Sequence, residues 1–259
     1  MDFLYTLSGL LVGFIVGLTG VGGGSLMTPL LVLLFGISPA TAVGTDLLYA
    51  AITKSGGTWV HARKGNVNWK IAGLLAAGSL PASVLTTLAL KHLALDTHAL
   101  SALITSTLGV ALILTAIALL FKERFRDYAR RKLSHRPAWS PRAIAVATVV
   151  TGLVLGVIVT ISSVGAGAVG TAALFFLYPQ LSVVQIVGTD IVHAVPLTLI
   201  AGLGHASLGT VNWSLLVSLL VGSLPGIYIG SHLASRVPER ILRPTLAGML
   251  VLIGGRLVF

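Results

Sequence analysis

"VGTDLLYA", residues 43–50, recurs as "VGTDIVHA", residues 187–194, which lies 144 positions further along the chain. Three more stretches recur, two at that same spacing and the last at 143: "HARKGNVNW" (61–69) with "HASLGTVNW" (205–213), "GSLP" (78–81) with "GSLP" (222–225), and "GVGGGSLMT" (20–28) with "SVGAGAVGT" (163–171). Repetition at an almost constant spacing across separate stretches indicates that the chain is a duplicated unit, about 9–121 and 152–259.

The composition places both units in a membrane. The chain has 259 residues, of which 55% are hydrophobic and 9% are charged, whereas about 25% of the residues of a soluble domain are charged. Apolar runs of roughly 20 residues, the length that crosses the hydrocarbon core of a bilayer, follow one another through the sequence. The sequence has no cysteine, which excludes disulfides and thiolate metal sites. We therefore expect an all-α polytopic membrane protein.

The net charge of +10 is concentrated in one segment. Residues 122–142 carry eight Lys and Arg side chains against Glu123 and Asp127, which gives +6. A basic segment between two hydrophobic spans indicates a cytoplasmic loop rather than a nucleic-acid site, and anionic lipid headgroups are a further expected contact. The predicted organisation is a first transmembrane repeat over 1–121, a basic cytoplasmic loop over 122–142 and a second transmembrane repeat over 143–259.

Each unit contains five apolar segments, of which the second is short. The segments are 3–19, 24–36, 39–60, 68–90 and 98–121 in the first unit, and 143–162, 167–178, 183–204, 212–233 and 240–258 in the second. At the rise of an α-helix, the short segments span roughly 20 Å, less than a hydrocarbon core of about 30 Å. We predict that they form broken or re-entrant half-helices among about 8–10 membrane segments.

The basic residues change loops between the units. Loop 61–70 carries three Lys or Arg residues, its equivalent 205–212 carries none, and 234–243 carries three Arg residues. This pattern predicts two inverted repeats, an architecture of transporters, with 122–142 and 234–243 in the cytoplasm and both termini outside. Parallel repeats with an uneven charge distribution are the alternative.

A glycine-rich stretch precedes each predicted half-helix. A helix begins with unpaired N–H groups and partial positive charge, and glycine allows an ion to approach the backbone closely. Two such ends near the midplane predict a site for a small anion; close helix packing is the alternative role for the glycines. The predicted substrate contacts in these stretches are Gly22, Gly23, Gly24, Ser25, Gly165 and Gly167.

The repeated "GTD" triplet adds Thr45, Asp46, Thr189 and Asp190 to the predicted substrate site. A carboxylate inside a span is costly and should face the protein interior. Three roles compete for the two carboxylates: a structural role at the broken helices, contact with the substrate, and proton coupling. His193 follows Asp190 by three positions on the same helix face, so Asp46, Asp190 and His193 are the candidates for proton coupling.

Other classes of function have less support in the sequence. No group of His, Asp or Glu residues has metal-ligand spacing, and no GxxxxGK[ST] motif for phosphate binding is present. We therefore expect no metal, no cofactor and no enzymatic activity. A membrane-embedded enzyme that uses Asp190 and His193 is the alternative function. A homodimer is compatible with the predicted architecture.

These motifs resemble one family. "GFIVGLTGVGGGSLMTPLLVL", "GTDLLYAAITKSGGTWVHARKGNVNW" and "GSLP", with their degenerate second copies, closely resemble the TauE/SafE family of sulfite-exporter-like permeases over about 9–258. The resemblance implies a secondary transporter in the cell (cytoplasmic, inner) membrane that moves small sulfur-containing anions, such as sulfite or sulfoacetate, by alternating access. The second unit departs from the first, with Ser163 at the position of Gly20 and Ala166 at that of Gly23, which implies an asymmetric site.

Overall fold

The computed structural model describes residues 3–19, 24–93, 97–128, 140–233 and 239–258. These ranges are helical apart from short connections. The ten helices are α1 (Phe3–Thr19), α2 (Gly24–Leu33), α3 (Pro39–Arg63), α4 (Trp69–His92), α5 (Thr97–Tyr128), α6 (Pro141–Ser162), α7 (Ala168–Leu177), α8 (Val183–Ser207), α9 (Trp213–Leu233) and α10 (Glu239–Val258). The predicted all-α membrane fold is confirmed.

Five of the described helices are long and apolar enough to cross a membrane, and they are α4, α5, α6, α8 and α9. The predicted half-helices α2 and α7 have ten residues each, which corresponds to about 15 Å. α3 is as long as α8 but is not among the five, and it carries Lys54 where α8 carries Thr198. α3 packs against α8.

Side-chain caps fix the starts of several helices. α3 begins at Pro39, where the predicted segment 39–60 begins, and the Ser38 hydroxyl accepts a hydrogen bond of 3.3 Å from the backbone N–H of Thr41. Asn68 and Asn212 begin α4 and α9 in the same way, since each side-chain oxygen accepts from the backbone N–H three residues later. These two asparagines are equivalent members of the repeated "VNW" motif.

The helices of the two units pack in exchanged pairs. α1 packs on α9, and their equivalents α6 and α4 pack on each other. The central contacts join equivalent helices, α3 with α8 and α5 with α10. A twofold axis that relates the two units produces this pattern, because it turns each contact into the contact between the equivalent helices of the opposite units. The pattern is consistent with the predicted inverted repeats.

Glycines bring the backbones of the exchanged pairs together. A Cβ atom at Gly222 or Gly226 of α9 would overlap the carbonyl oxygen of Thr6 or Leu10 in α1. In the equivalent pair, a Cβ atom at Gly78 of α4 would overlap the carbonyl oxygen of Val149 in α6. Small residues permit this approach in membranes, where dispersion contacts between backbones replace the hydrophobic effect as a driving force.

The helices next to the basic segment extend further than predicted. α5 continues to Tyr128 and α6 begins at Pro141, so both ends of the predicted loop 122–142 are helical. Lys, Glu and Arg are good helix formers, so the charges that end the apolar run of α5 do not end the helix. Residues 129–139 lie outside the described residues.

Candidate functional site

The "GTD" threonines connect the two repeats reciprocally. The Thr45 hydroxyl accepts a hydrogen bond of 3.1 Å from the backbone N–H of Asn212, and the Thr189 hydroxyl accepts one of 2.9 Å from that of Asn68. Thr45 and Thr189 were predicted to contact the substrate. The structure places both in contacts between the repeats, and neither belongs to the described wall of the cavity presented below.

The "GTD" glycines allow the same contact. A Cβ atom at Gly44 would lie 3.0 Å from the Cβ of His205, and one at Gly188 would lie 2.8 Å from Nδ1 of His61. Each "GTD" turn therefore packs against the histidine-containing motif of the other repeat. The "GTD" motif and the histidine-containing motif recur at the same spacing in the sequence. That common spacing indicates that both belong to the repeat, but it does not show that each "GTD" motif contacts the histidine of the other repeat.

Asp46 lies in a buried hydrogen-bonded contact. It is 0% exposed. Its Oδ2 accepts hydrogen bonds from the hydroxyl of Thr28 in α2 and, at 3.0 Å, from that of Ser163. Ser163 ends α6 with a left-handed φ of 59° at the break in the second repeat. Asp46 thus connects the half-helix of its own repeat to the break in the other, which favours the structural role among the three considered.

Asp190 has a different environment. Its carboxylate contacts Gly170 of α7, where a Cβ atom would overlap it. Asp190 also lines a cavity, together with Lys54 of α3. The two "GTD" carboxylates are therefore equivalent in sequence but not in surroundings, because only Asp190 is among the described residues of the cavity wall.

His193, the other candidate for proton coupling on this face of α8, forms its hydrogen bond with α4. Nε2 of His193 lies 2.8 Å from the hydroxyl of Ser79 in α4, and among the described residues Nδ1 has no hydrogen-bond partner. Spacing of three along a helix places two residues on one face, but the hydrogen-bond partner of Nε2 here is Ser79 of a different helix. The equivalent positions are held by Tyr49 in the first unit and Ser223 in the second, and neither hydroxyl has a hydrogen-bond partner among the described residues.

The cavity lies between the repeats and has a volume of about 410 Å³. Its described wall includes residues of α1, α3, α5, α7, α8 and α9. Most of the wall is apolar, and its polar members are Thr53, Lys54, His61, Thr171, Asp190 and Ser231. The cavity occupies the half of the bundle where α3 and α9 end and α8 begins, because His61 lies in the last turn of α3 and Val187 near the start of α8.

Lys54 is the one Lys or Arg among the described residues of the cavity wall. Its ammonium group donates a hydrogen bond of 3.1 Å to the carbonyl oxygen of Ala166 in the break before α7. An ammonium group has three donors, and among the described residues this is the one hydrogen bond of Lys54. The sequence prediction left Lys54 out of the site. A charged residue inside a span, with Thr198 at its equivalent position, was the available signal.

The predicted glycine sites are only partly described. Gly167 lines the cavity and precedes α7 with a φ of 135°, and α7 has no side-chain cap. Gly165 has a φ of 123° in the same break and is not in the described wall. In the first unit, Gly24 begins α2 and Ser25 is buried. Gly22 and Gly23 lie outside the described residues.

The cavity therefore combines a fixed cation, a carboxylate and the uncapped start of a short helix in an apolar wall. A lysine ammonium binds oxyanions as a point charge, and the first N–H groups of a helix add partial positive charge. The volume suits a small molecule rather than a peptide. This arrangement can bind a small anion between the two repeats.

Sequence comparisons give the family. The family described as "Sulfite exporter TauE/SafE" matches residues 5–257. The probable membrane transporter protein YjnA of Bacillus subtilis (strain 168) is 42% identical over 263 residues, with 100% of both chains covered. The probable membrane transporter protein YdhB of the same organism is 31% identical over 252 residues, covering 93% of this chain and 96% of YdhB. No solved structure gives a significant match. The chain therefore belongs to the TauE/SafE family and is a multi-pass membrane transporter.

Proposed function

We propose that this transporter moves small sulfur-containing anions, such as sulfite or organosulfonates like sulfoacetate, across the inner cell membrane by alternating access. The substrate occupies the cavity between the repeats, against Lys54 and the start of α7. The bilayer lipids surround the helices, and we expect the basic segment 122–142 to lie in the cytoplasm.

The position of Lys54 is the observation that carries this proposal. Lys54 belongs to the first repeat, but its ammonium group binds the backbone of the second repeat at Ala166. A cation held between two repeats can bind an anion. Its distance from the second repeat also changes when the two repeats move relative to each other. The family description supports the sulfur oxyanions within the broader class of small anions.

The compact shape of these anions also fits the donors. The Lys54 ammonium group binds the residue before Gly167, so it lies near the first N–H groups of α7, and several N–H donors close together suit a pyramidal or tetrahedral group of oxygens. We expect affinities on the order of micromolar to millimolar, about 4 to 8 kcal/mol, because a transporter has to release its substrate.

Flux into proteoliposomes tests the substrate class. We expect labelled sulfite flux to be reduced by unlabelled sulfite, sulfoacetate or thiosulfate, and far less by acetate. Sodium ions and amines should neither compete nor shift the unfolding temperature, since a cation would be repelled by Lys54. Competition by an amine, with none by any sulfur oxyanion, would contradict the proposal.

Asp190 is our candidate for proton coupling, and Asp46 is not. In the cavity, the charges of Lys54 and Asp190 offset each other. An anion bound at Lys54 leaves the carboxylate beside another negative charge, which favours its protonation. His61 is the other titratable group in the described cavity wall. Transport of one anion together with one proton then moves less net charge across the membrane.

Replacement of Asp190 by Asn tests this role. We expect Asp190→Asn to abolish the acceleration of flux by a pH gradient while keeping substrate exchange at equal pH within about threefold, because the amide mimics the protonated acid. Asp46→Asn should lower both activities together, since Asp46 holds Thr28 and Ser163. An Asp190→Asn variant that still responds to the gradient would exclude Asp190 as the coupling group.

The enzymatic alternative relied on Asp190 and His193 acting as a pair. The hydrogen bond of His193 goes to Ser79 instead, and the family and the named relatives are transporters. These observations favour transport without chemical change of the substrate.

A further inference from the structure

The sequence repeat defines an equivalent for most residues of the cavity wall. At the repeat spacing of 144 residues, Lys54 is equivalent to Thr198, Gly57 to Ala201, His61 to His205 and Asp190 to Asp46. The four equivalents are 1%, 0%, 1% and 0% exposed, in that order. The half of the bundle that contains these four residues is closed, although the equivalent residues of the repeat line a cavity in the other half.

An apolar cluster fills this closed half. Val43, Leu47, Val159, Leu197 and Ala201 pack together and are each 0% exposed. The equivalents of all five, Val187, Ile191, Val16, Thr53 and Gly57, belong to the cavity wall. The same positions of the repeat therefore pack against one another in one half and are separated in the other. We refer to these five residues as the closed counterpart.

Hydrogen bonds connect α6 to α4 and to α8 beside the closed counterpart. The Thr160 hydroxyl donates a bond of 2.8 Å to the hydroxyl of Ser83, and Nε2 of His205 lies 2.9 Å from the Thr160 carbonyl oxygen. In the other half, the equivalents of Thr160 and Ser83 are Gly17 and Ile227, which have no hydroxyl and line the cavity. We call Ser83, Thr160 and His205 the polar latch, and its hydroxyl–hydroxyl bond has no counterpart at Gly17 and Ile227.

We propose that the closed counterpart is a second, latent access cavity, which opens to the opposite side of the membrane when the described cavity closes. The proposal rests on the proposed function and deepens it: the same small anion at Lys54 reaches one side through the described cavity and the other through the closed counterpart. Opening requires separation of the polar latch. The half that contains His61 closes without a counterpart of the Thr160–Ser83 bond, because Gly17 and Ile227 have no hydroxyl.

Introduced cysteines can report both cavities, because the chain has none of its own. Gly57→Cys places a thiol in the described cavity, and Ala201→Cys places one at the equivalent position of the closed counterpart. With an impermeant thiol reagent we expect Gly57→Cys to react from the cytoplasmic side and Ala201→Cys to be at least about tenfold slower from either side. Leu197→Cys serves as a second reporter if Ala201→Cys does not fold.

Thr160→Val then removes the latch hydroxyl and keeps a similar shape. We expect it to raise the reactivity of Ala201→Cys from the outer side about fivefold, the effect of losing one net hydrogen bond, and to lower that of Gly57→Cys. Thr151→Val is the matched control, since its hydroxyl bonds only to the Ala147 carbonyl of its own helix among the described residues, and it should change neither reactivity.

Opposite changes at the two reporters support the proposal. A simultaneous rise at both would mean local loosening, and no change at either would mean that the latch does not hold the closed counterpart; both results would overturn it. Labelling requires no substrate. If flux shows a different substrate class while the reporters still exchange, the proposed substrate fails and the latent cavity stands.

Discussion

Lys54→Met is expected to reduce sulfite flux at least about 100-fold while leaving the protein folded. This factor equals about 2.7 kcal/mol, within the range for loss of a hydrogen bond to a charged group. Methionine preserves the length and apolar stem of lysine but removes the one Lys or Arg of the described cavity wall. Flux into proteoliposomes, normalised to reconstituted protein, measures the effect.

Two further variants separate the charge from its position. Lys54→Arg keeps the charge and should retain part of the flux, although its planar group has a different geometry. Lys70→Met removes a cation at the exposed start of α4 and should leave the flux unchanged. Wild-type flux in Lys54→Met would show that the substrate does not bind at Lys54.

Gly222→Val should have the largest effect on the fold. Its side chain would overlap the Thr6 carbonyl and approach the backbone nitrogen of Leu10 to 2.8 Å or less, so α1 and α9 would have to separate. Backbone overlap of this kind cannot be relieved by a rotamer change, and overpacking costs about 1–3 kcal/mol or more. We expect an unfolding temperature in detergent lower by at least about 5 °C, or no monodisperse protein.

Gly73→Val provides the matched control. Gly73 lies within α4, where a Cβ atom would meet nothing within 4 Å, so the same substitution introduces a β-branched side chain without the overlap. Its unfolding temperature should stay within about 2 °C of the wild type. Equal behaviour of the two variants would mean that the α1–α9 contact tolerates separation.

The sequence predicted the helices well because their signals are local. Apolar length, the Ser38–Pro39 start and the glycine-rich breaks determine where helices begin and end, and these features lie within a few residues of each boundary. The end of α5 was the exception, since the prediction used charge to mark the end of a span and charged residues continue a helix readily.

The site was less predictable because it depends on which helices meet. Thr45 and Asp46 are adjacent in sequence, yet one contacts the loop before α9 and the other contacts α2 and Ser163. Asp46 and Asp190 have the same neighbours in sequence but only Asp190 lines the described cavity. Lys54 had no repeated motif to mark it, and its partner Ala166 is 112 positions away.

The reciprocal bonds between Thr45 and Asn212 and between Thr189 and Asn68 also bear on how such a chain can arise. Two identical, separate copies of one unit would form the same bond twice across their interface. An ancestral homodimer would therefore need no new contact when its gene was duplicated and the two copies were fused. After fusion, the two units can differ in sequence. A homodimer must carry two lysines or none at the position of Lys54, whereas the fused chain carries Lys54 in one unit and Thr198 at the equivalent position of the other. A single lysine at this pair of equivalent positions is therefore a property that a homodimer of one unit cannot have.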